Sequence, residues 1–286
     1  MQKRKLYFYI YYFSSLILLD VLALFAFLYY KENNFFQVVF FDVGQGDAIF
    51  IETPQKHQIL IDGGPDSKIL EKLSKEIPFW DRKIDLIILT HPERDHLNGL
   101  LQVLKKYEVE NILWTGIKRE TNEWKEWENA ILKEKARIII AQAGQQLIAG
   151  MANFKILFPL ENLNDKEFKN TNDTSIVIQL VYQKMSFLLM GDSSQIVEKE
   201  LISQNENLNS DVLKVGHHGS KTSSSNDFIE RVSPALAVIS VGKDNSYGHP
   251  HQEVLEILKK YGIKVLRTDL NGDIKIVSDG EKFQIQ

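Results

Sequence analysis

The sequence predicts a mixed α/β (α+β) fold, with sheets covered by helices on both outer faces and one apolar helix leading into it. Three observations point there. Short apolar runs bounded by Gly, Pro or Asn recur after residue 35. Segments of helical spacing, among them SKILEKLSKEI, HLNGLLQVLKKY and HQEVLEILKKY, alternate with them through both halves. Residues 6–30 form a single long apolar run unlike anything that follows.

That first run reads LYFYIYYFSSLILLDVLALFAFLYY, interrupted by Ser14, Ser15 and Asp20. At about 1.5 Å per residue it can span a hydrocarbon core of about 30 Å. Tyr7, Tyr9, Tyr11 and Tyr12 at one end and Tyr29 and Tyr30 at the other suit the two interfaces. Asp20 costs roughly 3 kcal/mol, and the Leu, Ile, Phe and Val side chains offset it at about 0.3–0.6 kcal/mol each. Insertion is therefore expected. Lys3, Arg4 and Lys5 precede the run, which puts the N-terminus in the cytoplasm and the remainder outside. The expected division is a membrane anchor over 1–34, with its transmembrane helix over about 6–30, and a globular domain over 35–286.

Within that domain FFQVVFFDV and DAIFIET read as strands around a Gly-Gln-Gly turn, and HQILIDGG as a third. IDLIILT is a buried strand that stops at His91-Pro92, where a helix begins. NILWTG, ARIII and NFKILFP are strands, with a helix over NEWKEWENAILKEK. TSIVIQLVY and MSFLLMGD pair as a hairpin across Gln183-Lys184. Strands at DVLKVG and ALAVISV alternate with helices at SQIVEKELIS and NDFIERV, and the chain closes with strands around an Asn271-Gly272 turn.

Composition narrows the chemistry. There is no cysteine, which excludes disulfides, thiolate ligands and cysteine nucleophiles. Residues 35–286 carry 30 Lys+Arg against 36 Asp+Glu, so the domain is no general nucleic-acid binder. An anionic substrate must be met by a local site.

The conspicuous polar groups follow apolar runs. IDLIILT ends in His91-Pro-Glu93-Arg-Asp95-His96, ILID in Asp62-Gly-Gly, FLLMG in Asp192, VLKVG in His217-His218-Gly219-Ser220, and VISVGKDNSYG in His249-Pro-His251. Every histidine except His57 lies in these segments. Ligands at the ends of buried strands can be gathered onto one face from distant parts of a chain. Imidazole suits zinc, manganese or iron, and added carboxylate favours manganese.

The set His91-x-Glu93-x-Asp95-His96 resembles the H-x-[HDE]-x-D-H signature of the metallo-β-lactamase superfamily. Asp62 resembles its earlier aspartate motif, Asp192 its bridging aspartate, and His217-His218 its last histidine motif. The phrases FDVGQGDA, LKVGHHGS and NSYGHPH are similar to those of the hydrolase domain of ComEC-type DNA-uptake proteins. The likeness covers roughly residues 36–280. It implies a four-layer αββα sandwich over 35–286 with metal at one edge. Two departures stand out: Glu93 replaces the usual His, and no histidine lies between His96 and Asp192, where Asn172, Asp173, Thr174 and Ser175 are the nearest polar residues.

The resemblance implies a hydrolase, with phosphodiester hydrolysis (a nuclease linked to DNA uptake) as the expected reaction. One or two divalent ions, manganese or zinc, would be held by His91, Glu93, Asp95, His96, Asp192 and His217 or His218. Asp95 would also orient water, Asp62 would orient a ligand histidine, and His249 is the expected general acid. Lys214, Ser220, Lys221, Asn172 and Tyr247 are the expected substrate contacts. The implied partners are DNA, the membrane and a DNA-uptake channel, since the chain has no channel of its own. Two alternatives are a phosphodiesterase for a surface phosphocholine or lipid ester, and a non-catalytic partner module.

Overall fold

The computed structural model describes residues 2–32 and 35–286, with side chains at 7, 9, 11–25 and from 35 onward. The chain divides into two compact units, Met1–Phe35 and Phe36–Gln286.

The first unit holds helix α1 (Gln2–Glu32). Ser14 and Ser15 turn their hydroxyls back onto the carbonyls of Tyr11 and Tyr12, at 2.9 and 2.8 Å. This back-bonding satisfies both hydroxyls within the helix. Among the described residues no helix is long and apolar enough to cross a membrane. The expected transmembrane span is therefore met only as a helix, and several side chains it rests on (6, 8, 10 and 26–30) lie outside the described residues.

In the second unit the elements run β1 (Phe36–Phe40), β2 (Ile49–Glu52), β3 (Gln58–Ile61), α2 (Lys68–Glu76), β4 (Lys83–Ile88), α3 (Arg94–Val103), β5 (Glu108–Trp114), α4 (Asn122–Lys133), β6 (Arg137–Ile140) and β7 (Gln146–Ala149). Then follow β8 (Ala152–Phe158), β9 (Val177–Tyr182), β10 (Met185–Leu189), α5 (Gln195–Ser203), β11 (Val212–Lys214), α6 (Asn226–Val232), β12 (Leu236–Ile239), α7 (Gln252–Lys260), β13 (Lys264–Arg267), α8 (Thr268–Asn271), β14 (Ile274–Ser278) and β15 (Phe283–Ile285).

The strands form two mixed sheets. From edge to edge the first runs β15, β14, β1, β2, β3, β4, β5, β6, and the second β13, β12, β11, β10, β9, β8, β7. Alternation along each strand builds the layers. Val38 and Phe40 point between the sheets, where they meet Phe154, Ile178, Phe187 and Leu189. Val39 and Phe41 point the other way, into a second core under α2, α3 and α4 with Leu73, Leu100 and Trp127. In the second sheet Leu188 and Leu213 face a third core with Val197, Phe228 and Leu258 from α5, α6 and α7. Helix, sheet, sheet, helix is the expected four-layer order.

The predicted hairpin at Gln183-Lys184 is present, with Met185 opposite Tyr182 and Gln183 at φ 54°. The closing turn is different. Asn271-Gly272 ends α8 and carries the chain from β13 in the second sheet to β14 in the first. Gly272 sits at φ 70° and ψ −144°, a conformation open to glycine, so the local signal was a turn of another kind. The last hairpin instead joins β14 to β15.

In this topology β3, β4, β10, β11 and β12 all release the chain at one end of the sandwich. Every polar segment singled out in the sequence leaves from there.

Candidate metal centre

Asp62 ends β3 at φ 58°, in the left-handed region, with its side chain fully buried. One carboxylate oxygen accepts from the Thr90 amide at 2.8 Å, while the other accepts from the Thr90 hydroxyl at 2.7 Å and lies 2.8 Å from His96 Nδ1. The Thr90 hydroxyl in turn lies 3.0 Å from His91 Nδ1. Because that hydroxyl donates to Asp62, it accepts from His91. Both imidazoles then carry their proton on Nδ1 and turn Nε2 the other way.

Asp95 and His96 occupy the first turn of α3, entered through an extended Glu93. This turn packs against the Gly-Gln-Gly loop: a Cβ on Gly46 would fall 2.1 Å from the Asp95 carbonyl oxygen, so only glycine fits there. The Asp47 amide donates to that same carbonyl at 3.3 Å. On the opposite sheet His217 and His218 are consecutive non-glycine residues at φ 48° and 53°. Two adjacent left-handed residues are costly and mark a segment held by its surroundings. His218 Nδ1 donates to the Ser240 carbonyl at 2.9 Å and lies 3.4 Å from Asp47 Oδ1. Asp47 is ion-paired with Lys214, whose ammonium also donates to the Gly191 carbonyl at 3.1 Å.

These supports bring four side chains together. Asp192 Oδ1 is 3.4 Å from His96 Nε2, and Asp192 Oδ2 is 3.3 Å from His218 Nε2. Asp95 Oδ2 is 3.4 Å from His218 Nε2 and 4.0 Å from His96 Nε2. Ligand atoms of Asp95, His96, Asp192 and His218 all lie within 4.8 Å of one another. His91 Nε2 and His217 Nε2 stand slightly further out, 3.9 and 4.0 Å from Asp192 Oδ2. The Nε2 atoms of His91, His96 and His218 and Oδ1 of Asp192 are buried with no hydrogen-bond partner among the described residues. Buried polar atoms are almost always paired, so four orphaned atoms converging on one point fit a cation. The all-nitrogen-and-oxygen donor set suits manganese, iron or zinc.

The electrostatics agree. Burial opposes the charge of His96, but Asp192, Asp62 and Asp95 outweigh it and hold that imidazole well above its ordinary value. His218 is held up in the same way against burial by Asp192, Asp47 and Asp95. Burial likewise works against the Asp192 carboxylate, yet His218 and His96 hold it well below the usual range. His91 behaves oppositely: burial and the neighbouring His96 push it down to about 3. Its lone pair is free at neutral pH.

The other predicted residues fall elsewhere. Glu93 turns out of the cluster, its carboxylate taken by Arg119 and the Thr171 hydroxyl. Lys214 is fully buried beneath the site rather than facing a substrate. Asn172 reaches His217, Nδ2 to Nε2 at 3.1 Å, so it does not complete the ligand set in place of the absent histidine. His249 stacks on the exposed Tyr247 ring and lies 5.5 Å from the His217 ring. Burial, then the His218, His217 and His251 imidazoles, lower His249 to about 4. Ser220 is buried and accepts from the Thr222 hydroxyl at 3.0 Å, while Lys221 is exposed. Sequence reasoning assigned no role to Asp47, Thr90, Arg119 or the Ser240 carbonyl. Asp47 had a signal, a carboxylate closing a Gly-Gln-Gly turn just before a strand, whereas a backbone carbonyl has none.

A match to the Metallo-beta-lactamase superfamily covers residues 41–243. ComE operon protein 3 of Bacillus subtilis is 34% identical over 84% of this chain and 32% of its own length. Competence protein ComA of Neisseria gonorrhoeae is 29% identical over 89% of this chain and 35% of its own. The chain thus spans about a third of the length of these relatives. Among solved structures, the metallo-beta-lactamase fold protein YhfI of Bacillus subtilis superposes with a TM-score of 0.57 at 14% identity, over 84% of this chain and 99% of that one.

Proposed function

Since the chain belongs to the metallo-beta-lactamase superfamily of metal-dependent hydrolases, we propose that it hydrolyses phosphodiesters with one divalent cation held by Asp95, His96, Asp192 and His218. The observation that carries this reading is the convergence of orphaned Nε2 and carboxylate atoms on one buried point. A cation there supplies Lewis-acid polarisation of a phosphoryl oxygen and a lowered pKa for water. The protein's own groups do the rest. Asp62 and Thr90 fix the tautomers of His96 and His91, and Ser240 and Asp47 fix that of His218. Their geometry is set before substrate arrives. His249, at the rim beside His217, offers the substrate side a hydrogen bond. The convergence of Asp95, His96, Asp192 and His218 argues for an enzyme over a non-catalytic module.

Kinship with competence proteins supports DNA as the substrate and DNA uptake as the process, with a channel supplied by a partner. Exposed Leu16, Ile17, Leu18, Leu22 and Phe25 on α1 support attachment to a membrane. With Lys3, Arg4 and Lys5 on the cytoplasmic side, the catalytic unit lies outside. Protease added to intact cells then degrades residues 35–286, and protection until lysis overturns that placement. The activity is tested on the manganese-loaded chain with single-stranded DNA, RNA and glycerophosphocholine. DNA cleavage supports the reading, whereas exclusive cleavage of the phosphocholine ester moves the substrate to a surface lipid. Absence of both metal and hydrolysis ends it.

A further inference from the structure

We propose that Arg119 binds a phosphate group of the substrate, held for that purpose at the rim of the metal site by Glu93 and Thr171. The proposal rests on the phosphodiester reading above and names the residue that recognises the anion. Glu93 lies between His91 and Asp95 in the loop that supplies the metal ligands, at a position where a ligand was expected. Its carboxylate instead takes Arg119 Nη1 and the Thr171 hydroxyl. Thr171, itself 1% exposed, also accepts from Arg119 Nη1 at 2.8 Å. The guanidinium is thereby fixed through a single nitrogen. Nε and Nη2 have no hydrogen-bond partner among the described residues, and the side chain keeps 22% exposure. A planar fork with one edge anchored and the other free matches two oxygens of a phosphate.

The loops carrying the fork are braced. The Lys118 amide donates to the Lys166 carbonyl at 2.8 Å and the Asp165 amide to the Gly116 carbonyl at 3.0 Å. Asn172, next to Thr171, reaches His217, so the clasp is continuous with the metal site. Arg94, Lys118 and buried Lys214 are committed to Glu123, Asp165 and Asp47, whereas Lys169 and Lys221 are exposed side chains on flexible stems without a brace. On a domain whose net charge is negative, an anionic substrate needs such a local cation.

The test uses the full manganese-loaded chain and two probes, inorganic phosphate for binding and bis(p-nitrophenyl) phosphate for turnover. Arg119→Gln weakens phosphate binding and raises KM by roughly ten- to a hundredfold, the size of a charge-assisted contact. Manganese content stays at the wild-type level. Arg119→Lys restores part of the loss, because an ammonium keeps the charge without the fork. Thr171→Val, which removes a brace and no donor to substrate, changes phosphate affinity by less than about threefold on the same scale. Wild-type phosphate affinity in Arg119→Gln overturns the proposal, and so does an unchanged KM for the ester in that variant. If phosphate affinity falls in Arg119→Gln while the wild-type chain cleaves no ester, the anion site stands and the hydrolytic reading falls.

Discussion

The two flanks of Asp192 differ. On one side Asp95, His96 and His218 converge, and each imidazole is fixed from behind, His96 by Asp62 and His218 by Ser240 and Asp47. On the other stand His91 and His217, with Glu93 diverted to Arg119 and Asn172 spent on His217. Supported, orphaned atoms make a place for a cation, and His91 Nε2 is one of them, whereas Glu93 and His217 have found protein partners and are not. The comparison teaches that a candidate ion site gathers around Asp192 while Glu93, in the same ligand loop, serves Arg119 and Thr171.

The largest break in that comparison comes from removing its shared member. Asp192→Asn and Asp95→Asn each lose bound manganese and hydrolysis by more than about a hundredfold, since an amide keeps the shape and removes the charge a divalent cation needs. Elemental analysis with turnover checks both variants. Next in size is Lys214→Ala, which strands the Asp47 carboxylate in the interior and costs about 3–5 kcal/mol of stability, read by denaturant titration. Asp62→Asn loosens the hold on His96 Nδ1 and on the Thr90 hydroxyl that orients His91, and manganese affinity drops by roughly ten- to a hundredfold by isothermal titration while the fold persists. Glu93→Gln is the smallest: metal content remains that of the wild type, because its carboxylate serves Arg119 and Thr171.

The supported flank also titrates in a defined sense. The folded pKa of His96 and His218 is raised above the ordinary 6.5. Their contribution to the metal-free protein is complete below that value and is lost as pH rises through the folded pKa. Asp192 is depressed below 3.8, so its contribution is present above that value and lost as pH falls through the folded one. A cation replaces the two imidazole protons, so manganese affinity rises with pH up to the raised folded values and binding releases protons. Thermal melting is therefore expected to fall with rising pH in the metal-free chain and to rise with manganese present. Parallel trends with and without manganese would break the link between these imidazoles and the ion.

Most of the fold was legible because burial leaves a periodic trace. IDLIILT, FLLM and VLKV are runs that only a two-sided sheet can bury, and each ends on a polar group at the same end of the sandwich. Asp95, His96, Asp192 and the His217-His218 pair stood out for that reason. Spacing could not tell which way Glu93 turns. Its partners, Arg119 and Thr171, lie 26 and 78 residues further on, and a carboxylate between two ligands reads as a third ligand until its partner is seen. Lys214 misled in the same manner: a lysine beside a histidine motif suggests an anion contact, but alternation along β11 turns it inward to Asp47. The Asn271-Gly272 turn had hairpin chemistry and a different use, since which sheet a strand joins is a long-range outcome.

The direct test of a single supported ion site is a manganese titration of the metal-free full chain followed by electron paramagnetic resonance. The account predicts one tight equivalent per chain, abolished in His218→Ala and retained in Glu93→Gln. Two tight equivalents in the wild type, with one of them lost in Glu93→Gln, would contradict it.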